Sequence, residues 1–216
     1  MYQLYYMPAR ASFAPHILLQ ELRLPYDLKL VDFSTNAQSD PDFLAINPNG
    51  RVPALVWDGF PMYESAAICM YLAEKHPESS LAPEPGDSAR PLYYQWMSYL
   101  STTIQETLVQ WFHPDDYLID ENVHAGLKKV AEQRLNEMWD VVTESISGSS
   151  YLLGEKFTAC DAYMFMLLCW QYELPTTPEQ WPLLDSYFWK IRKRPSVIRA
   201  LEAEGVPEWW SDKLDA

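Results

Sequence analysis

The sequence predicts a mixed α/β domain followed by an all-helical one. Three observations carry this prediction. Asp58-Gly59 is a strong hairpin signal between two short apolar runs, strand-like and helix-like segments alternate ahead of Pro77, and no strand pattern appears beyond Ser88. Between the halves, Pro77 to Asp87 holds Pro77, Pro83, Pro85 and Gly86, which reads as a linker.

Leu4-Tyr5-Tyr6-Met7 is short and apolar and reads as a first strand. Pro8 to Ala11 form a loop. Ser12 stands as the N-cap of a helix through Leu22, with Pro15 tolerated in its first turn. Leu24-Pro25 breaks that helix. Tyr26, Leu28 and Leu30 alternate with Asp27 and Lys29, the pattern of a half-buried strand. Asp40-Pro41 starts a short helix that ends before Asn47-Pro48-Asn49-Gly50. Ala54–Trp57 and Phe60–Tyr63 then pair as a hairpin, because Asp-Gly supplies the positive φ its two-residue turn needs. Helical spacing resumes with Ile68, Tyr71 and Leu72, and Ser65 sits where an N-cap belongs. The order βαβ-α-ββα is that of a thioredoxin-like domain.

In the second half, Trp96, Leu100, Thr103, Thr107 and Trp111 mark a long helix from about Ser88, closed by His113-Pro114-Asp115-Asp116. Leu127, Val130, Arg134, Met138 and Val141 mark another, ending before Gly148. Thr158 and Asp161 have the spacing of a capping box with Asp in place of Glu. The helix they open, Ala162 to Trp170, is apolar all round and is predicted to be buried on every side. Pro182 to Arg194 and Ser196 to Glu204 are the last predicted helices. The tail from Pro207-Glu208-Trp209-Trp210 is expected to fold its aromatics back on the body. The predicted organisation is residues 1–79, a linker 80–87, and a helical domain 88–216.

The 216 residues include 9 Trp, 14 Tyr and 8 Phe, and 48% of the chain is hydrophobic, which supplies a sizeable core and excludes a disordered chain. A net charge of −14 repels a nucleic-acid duplex, and no basic stripe offsets it. No apolar run approaches the roughly 20 residues of a membrane span, and the first residues lack the pattern of a signal peptide. Cys69, Cys160 and Cys169 are widely spaced on predicted helices, which points to reduced, buried thiols in a cytoplasmic protein. No spacing suggests a metal site.

The chemistry-bearing stretch is Asn47 to Leu72. Proline cannot donate to a sheet ladder, so Pro53 belongs at a strand start. Val52 before it keeps main-chain groups for an extended, peptide-like ligand. Glu64 and Ser65 follow at a helix start, where N–H groups attract a carboxylate and an acid can hold an ammonium. Singly, these residues read as a strand start, a solvated acid and an ordinary cap. Together they offer a seat for a small zwitterionic peptide.

The combination Val-Pro-Ala-Leu, hairpin, Glu-Ser, helix resembles the glutathione-binding half of the glutathione transferases, and the resemblance covers almost the whole chain. It implies a thioredoxin-like domain, an all-helical second domain with the capped, buried helix as its spine and Gly154 and Asp161 as structural residues, and a homodimer. It implies that Val52, preceding a cis-proline, pairs with the cysteinyl part of glutathione. Glu64 and Ser65 would take the γ-glutamyl end and Arg51 the glycyl carboxylate. Glutathione would be a co-substrate, with no cofactor. The electrophile pocket is expected between the domains, walled in part by Tyr99–Trp111.

Such an enzyme must turn the glutathione thiol into a thiolate. Bringing its pKa from about 8.5 to near 6.5 takes about 2.7 kcal/mol of preferential stabilisation, which a hydroxyl donor near a helix N-terminus supplies. Leu-Tyr-Tyr-Met-Pro-Ala-Arg-Ala-Ser looks most like the bacterial beta class, yet Ala11 stands where that class has its cysteine. Gln105-Glu106 likewise replace a His-Lys pair. Ser12, one residue on, and Tyr6, which aligns with the catalytic tyrosine of the tyrosine-type classes, are the two candidate donors, with main-chain N–H groups as the remaining possibility. The leading reading is conjugation of glutathione to an apolar electrophile. Its rivals are a non-catalytic protein that binds ligands or a partner on the same fold, and a glutathione-dependent peroxidase or reductase, against which Ala11 argues.

Overall fold

The structure, a computed structural model, describes residues 1–206. The aromatic tail from Pro207 lies outside the described residues. Two compact units are present among the described residues: 1–82 with 191–206, and 83–190.

The first unit is built on a four-stranded sheet in the order β2-β1-β3-β4, from β1 (Tyr2–Tyr6), β2 (Tyr26–Leu30), β3 (Ala54–Trp57) and β4 (Phe60–Tyr63). β1 runs parallel to β2 and antiparallel to β3, and β3 runs antiparallel to β4. β1 starts two residues earlier than the apolar run suggests, because Tyr2 pairs with Tyr26. Asp58 and Gly59 both have positive φ, +48° and +78°, as the predicted hairpin turn requires. α1 (Phe13–Glu21), the single turn α2 (Pro41–Leu44, capped by Asp40 on the Asp42 N–H) and α3 (Ser65–Lys75) complete the predicted βαβ-α-ββα order.

Seven consecutive residues of α1, Phe13 to Leu19, are buried. A helix apolar on all faces needs cover on all of them. α3 supplies one side through Ile68, Cys69 and Leu72. The chain's last described helix, Pro195–Glu204, packs on α1 from another side, although its position in the sequence groups it with the helical half.

The second unit contains helices and, among the described residues, one isolated bridge between Tyr151 and Gly154. α4 (Arg90–Ser98) passes through a π-helical stretch, Tyr99–Gln105, into α5 (Glu106–Phe112). Ser101 and Thr102 in the π stretch donate their hydroxyls back to the carbonyls of Met97 and Ser98, at 2.8 and 2.9 Å, and Thr107 just beyond donates to Thr103 at 2.8 Å. Such back-bonding competes with the regular helical ladder. In α6 (His124–Ser145) the buried face is Ala131, Leu135, Met138, Trp139 and Val142. Val130 and Val141, two of the residues that mark this helix in the sequence, are exposed, so the buried stripe is rotated by one residue from the predicted one.

α7 (Ala159–Gln171) is buried along all of its length, as predicted. Its start is fixed by the fully buried Asp161. The carboxylate accepts the N–H and hydroxyl of Thr158, the N–H of Leu152 and the hydroxyl of Tyr187. Burial pushes the Asp161 carboxyl up from its ordinary range, against the pull of these bonds. α8 (Pro182–Arg192) stacks Phe188 on Phe165 at 5.0 Å, and α9 is the Pro195–Glu204 helix on α1. Among the described residues no helix is long and apolar enough to cross a membrane.

Replacing Asp161 by Ala leaves four buried donors without an acceptor and is expected to lower the unfolding free energy by about 3 kcal/mol or more. Asp161→Asn keeps one acceptor oxygen and should cost less. Urea denaturation of the two variants measures both.

Candidate active site

Ladder register gathers the predicted site residues. Ala54 pairs with Tyr5 on one side and with Tyr63 on the other. The carboxyl end of β1, the approach to β3 and the exit from β4 therefore lie side by side, away from the Asp58-Gly59 turn. Tyr6, Val52-Pro53 and Glu64-Ser65 all fall at this end.

Both ladders of β3 begin at Ala54, so the main chain of Val52 lies outside the sheet pairing. The Val52-Pro53 peptide bond is cis. The Val52 side chain is buried in a cluster with Val31, Phe43 and Ala54, which anchors its backbone at the sheet end. Asn47 secures the preceding loop. Its side chain donates to the Arg51 carbonyl at 2.6 Å and accepts the Asn49 N–H at 3.1 Å, while its carbonyl accepts the Gly50 N–H. Gly50 has φ +60°, and a Cβ there would approach the Gln38 carbonyl oxygen to 2.9 Å. Only glycine fits both constraints. In the sequence Asn47 and Gly50 mark a helix end, and Asn-Pro-Asn-Gly was the available signal of their role in aiming Val52. Arg51 is exposed.

At the start of α3 the arrangement differs from the prediction. Ser65 is the first helical residue, and Glu64 holds the cap position, its carbonyl accepting the Ile68 N–H at 2.9 Å. Glu64 has φ +74° and ψ +110°, a region that favours glycine. Cap preferences cannot reveal such a residue, because it caps with no side-chain bond. Glu64 is exposed and Ser65 is buried. An exposed carboxylate thus stands beside the N-terminal amides of an 11-residue helix.

The turn between β1 and α1 carries the two candidate thiol donors. Ser12 is fully buried, and its hydroxyl closes the turn onto Met7, donating to the Met7 carbonyl at 3.1 Å and accepting the Met7 N–H at 3.3 Å. It makes no side-chain cap to α1, and its φ and ψ of −73° and −16° are helical. A hydroxyl has a single proton, and here Met7 takes it. Tyr6 sits partly buried at the end of β1, its carbonyl accepting the Val31 N–H at 2.8 Å. Burial, and next the negative charge of Glu204, push the Tyr6 phenol up from its ordinary value. At neutral pH it is a protonated donor.

Gln105 and Glu106 are engaged inside the helical unit. Gln105 accepts the Tyr163 hydroxyl, and Glu106 accepts the Tyr117 hydroxyl.

Comparison with known proteins gives the family. The family model "Glutathione S-transferase, N-terminal domain" matches residues 1–74, and the C-terminal counterpart matches residues 101–195. The chain is 30% identical to glutathione S-transferase GstA of Escherichia coli O157:H7, over 94% of this chain and 99% of that one. The chain belongs to the glutathione S-transferase family. As a member, it is a transferase enzyme. Among solved structures, a glutathione transferase homologue from Sulfitobacter, with bound glutathione, superposes with a TM-score of 0.87 at 29% identity, covering 96% of this chain and 99% of its own. A bacterial beta-class transferase from Sphingomonas chungbukensis gives 0.83 at 31% identity, covering 95% and 100%.

The backbone at Glu64 has a stability consequence. A β-carbon at φ +74° costs about 1–3 kcal/mol that glycine avoids, less the larger chain entropy that glycine loses on folding. Glu64→Gly is therefore expected to be more stable than Glu64→Ala by about 1 kcal/mol, read from their thermal midpoints.

Proposed function

We propose that this transferase binds reduced glutathione at the sheet end formed by Val52, Glu64 and Ser65 and conjugates its sulfur to an apolar electrophile. The observation that carries the reading is the main chain of Val52, outside both ladders and beside a cis-proline, in register with the start of α3. The cysteinyl part of the tripeptide pairs along Val52 in the manner of an added strand. The γ-glutamyl carboxylate meets the α3 N-terminus and the Ser65 hydroxyl, and its ammonium meets Glu64. Arg51 takes the glycyl carboxylate. Glutathione acts as co-substrate and no cofactor enters.

With Ala11 in place of a cysteine, the nucleophile is the substrate's own thiol. Tyr6 donates a hydrogen bond to its sulfur and favours the thiolate. Two features support Tyr6 over Ser12: the phenol retains its proton, and the Ser12 proton is already given to Met7. Ser12 and the main-chain N–H groups of the turn are the remaining donors in this reading. With an aryl halide, the thiol proton leaves to solvent, the sulfur forms a bond to the ring carbon, and the carbon–halogen bond breaks with its electron pair going to halide. A homodimer and a cytoplasmic location complete the proposal. All three cysteines are buried, which suits a reducing compartment. Burial also pushes the Cys69 thiol well up, which weighs against the reductase alternative.

The engaged Ser12 hydroxyl, with Ala11 beside it, also suits a second reading of the thiol's activation, by the main-chain N–H groups of the turn with neither hydroxyl involved. Calorimetry should show saturable binding of reduced glutathione, and an activated aryl chloride should be turned over. In an absorbance titration of the bound thiol, Tyr6→Phe should raise its pKa by about one to two and lower kcat/KM by about 10- to 100-fold. Ser12→Ala should lower stability by about 1–2 kcal/mol, since it unties the turn, with a smaller change in the titration. An unchanged thiol in Tyr6→Phe refutes the phenol's role. An unchanged thiol in both variants supports the main-chain N–H groups, and no heat with glutathione, or no turnover of any electrophile, overturns the proposal.

A further inference from the structure

Glu204, the last residue of α9, is buried with none of its side chain exposed. One carboxylate oxygen lies 2.9 Å from Nδ1 of the equally buried His16 on α1. The other accepts the N–H of Ala9 at 3.1 Å. The His16 ring continues through Nε2 to the Tyr26 hydroxyl at 2.8 Å, which also receives Gln20. A carboxylate from α9 thus reaches the turn after Tyr6, within one compact unit.

Burying a carboxylate is expensive, and an apolar residue of similar size would dock a helix at lower cost. α9 is moreover tied to α1 without it. Glu21 receives Arg194 and Ser196, and Arg199 donates to the side chain and carbonyl of Gln20 at 2.9 and 3.0 Å. What Glu204 adds is the bond to Ala9. Ala9 has φ +59°, a conformation that L-residues seldom adopt and that its methyl group can do nothing to hold. Three residues later Ser12 closes the same turn from the other side.

We propose that Glu204 is a positioning residue for the thiol-activating turn, fixing through the Ala9 N–H the path of the chain from Tyr6 to Ser12, with His16 holding the carboxylate in place. This role rests on the glutathione-conjugating reading above. The Glu204 side chain is wholly buried and stands apart from the glutathione seat proposed above, so its loss should act on the chemical step more than on glutathione binding, which the other side of the site provides.

The test uses the whole chain with reduced glutathione and an activated aryl chloride. Glu204→Ala is expected to lose about tenfold in kcat and to raise the bound thiol's pKa, while the glutathione Kd stays within about twofold. Glu204→Gln keeps a carbonyl acceptor for Ala9 and an amide to face His16, and should restore most of that kcat. In the parent, the Ala9 amide should exchange with solvent at least about a hundredfold slower than an open amide, a measurement that decides the case should Glu204→Ala fail to fold. A folded Glu204→Ala with parental kcat and thiol titration overturns the role, as does a Gln variant as impaired as the Ala variant, or an Ala9 amide that exchanges freely. A parent that neither binds glutathione nor turns over overturns the functional reading itself, before any variant is compared.

Discussion

The pairing of Ala54 with Tyr5 on one side and Tyr63 on the other is the constraint on which the site depends. A slip of one residue in either ladder would turn every side chain of β3 to the opposite face. It would also carry Val52-Pro53 out of line with Tyr6 or with Glu64. The register is held by burial, because Ala54 and Leu55 are almost wholly shielded from solvent and Val52 is packed with Val31 and Phe43. Val52 serves both ends, its side chain in that packing and its main chain outside the ladders. The sheet determines where they stand, and the loops determine which way they point.

Much of the first unit was legible because its signals are local. Asp58-Gly59 specified both the turn and the pairing it enforces, and the ladder register brings Val52-Pro53 and the Glu-Ser pair, grouped by the sequence pattern, to one end of the sheet. Thr158 and Asp161 announced the start of the most buried helix. Illegible features depended on a competitor that sequence does not display. Ser12 has the residue type of a cap, and nothing in the chain says that Met7, five positions back, takes its hydroxyl instead. Glu64 occupies a cap position with a backbone that propensity assigns to glycine. In α6 the choice between Val130 and Ala131 as the inward residue is a rotation of one position, and the larger apolar residue was the wrong one. The π stretch in the long helix follows hydroxyls that bond backward, in a segment whose apolar spacing reads as ordinary helix.

Three buried polar side chains do comparable work in different places. Asn47 aims the loop before Val52, Asp161 starts α7, and Glu204 reaches Ala9. Asp161 and Glu204 satisfy main-chain groups in the interior, where an unmade bond costs most, and Asn47 does the same in a partly buried loop. Two of the three bonds join residues only three or four positions apart in the chain, and those are the ones a sequence motif can suggest. The Glu204 bond spans nearly the entire chain and has no such motif.

That span affects the order of synthesis. Helix α1 emerges from the ribosome early, yet one of the helices that covers it is made only after the whole helical unit. Until then, part of a helix that is apolar on every face has no lasting neighbour, and exposed surface of that kind invites association with chaperones or with other nascent chains. The first unit is therefore completed only after the helical unit, and the turn beside Tyr6 settles once α9 has been made.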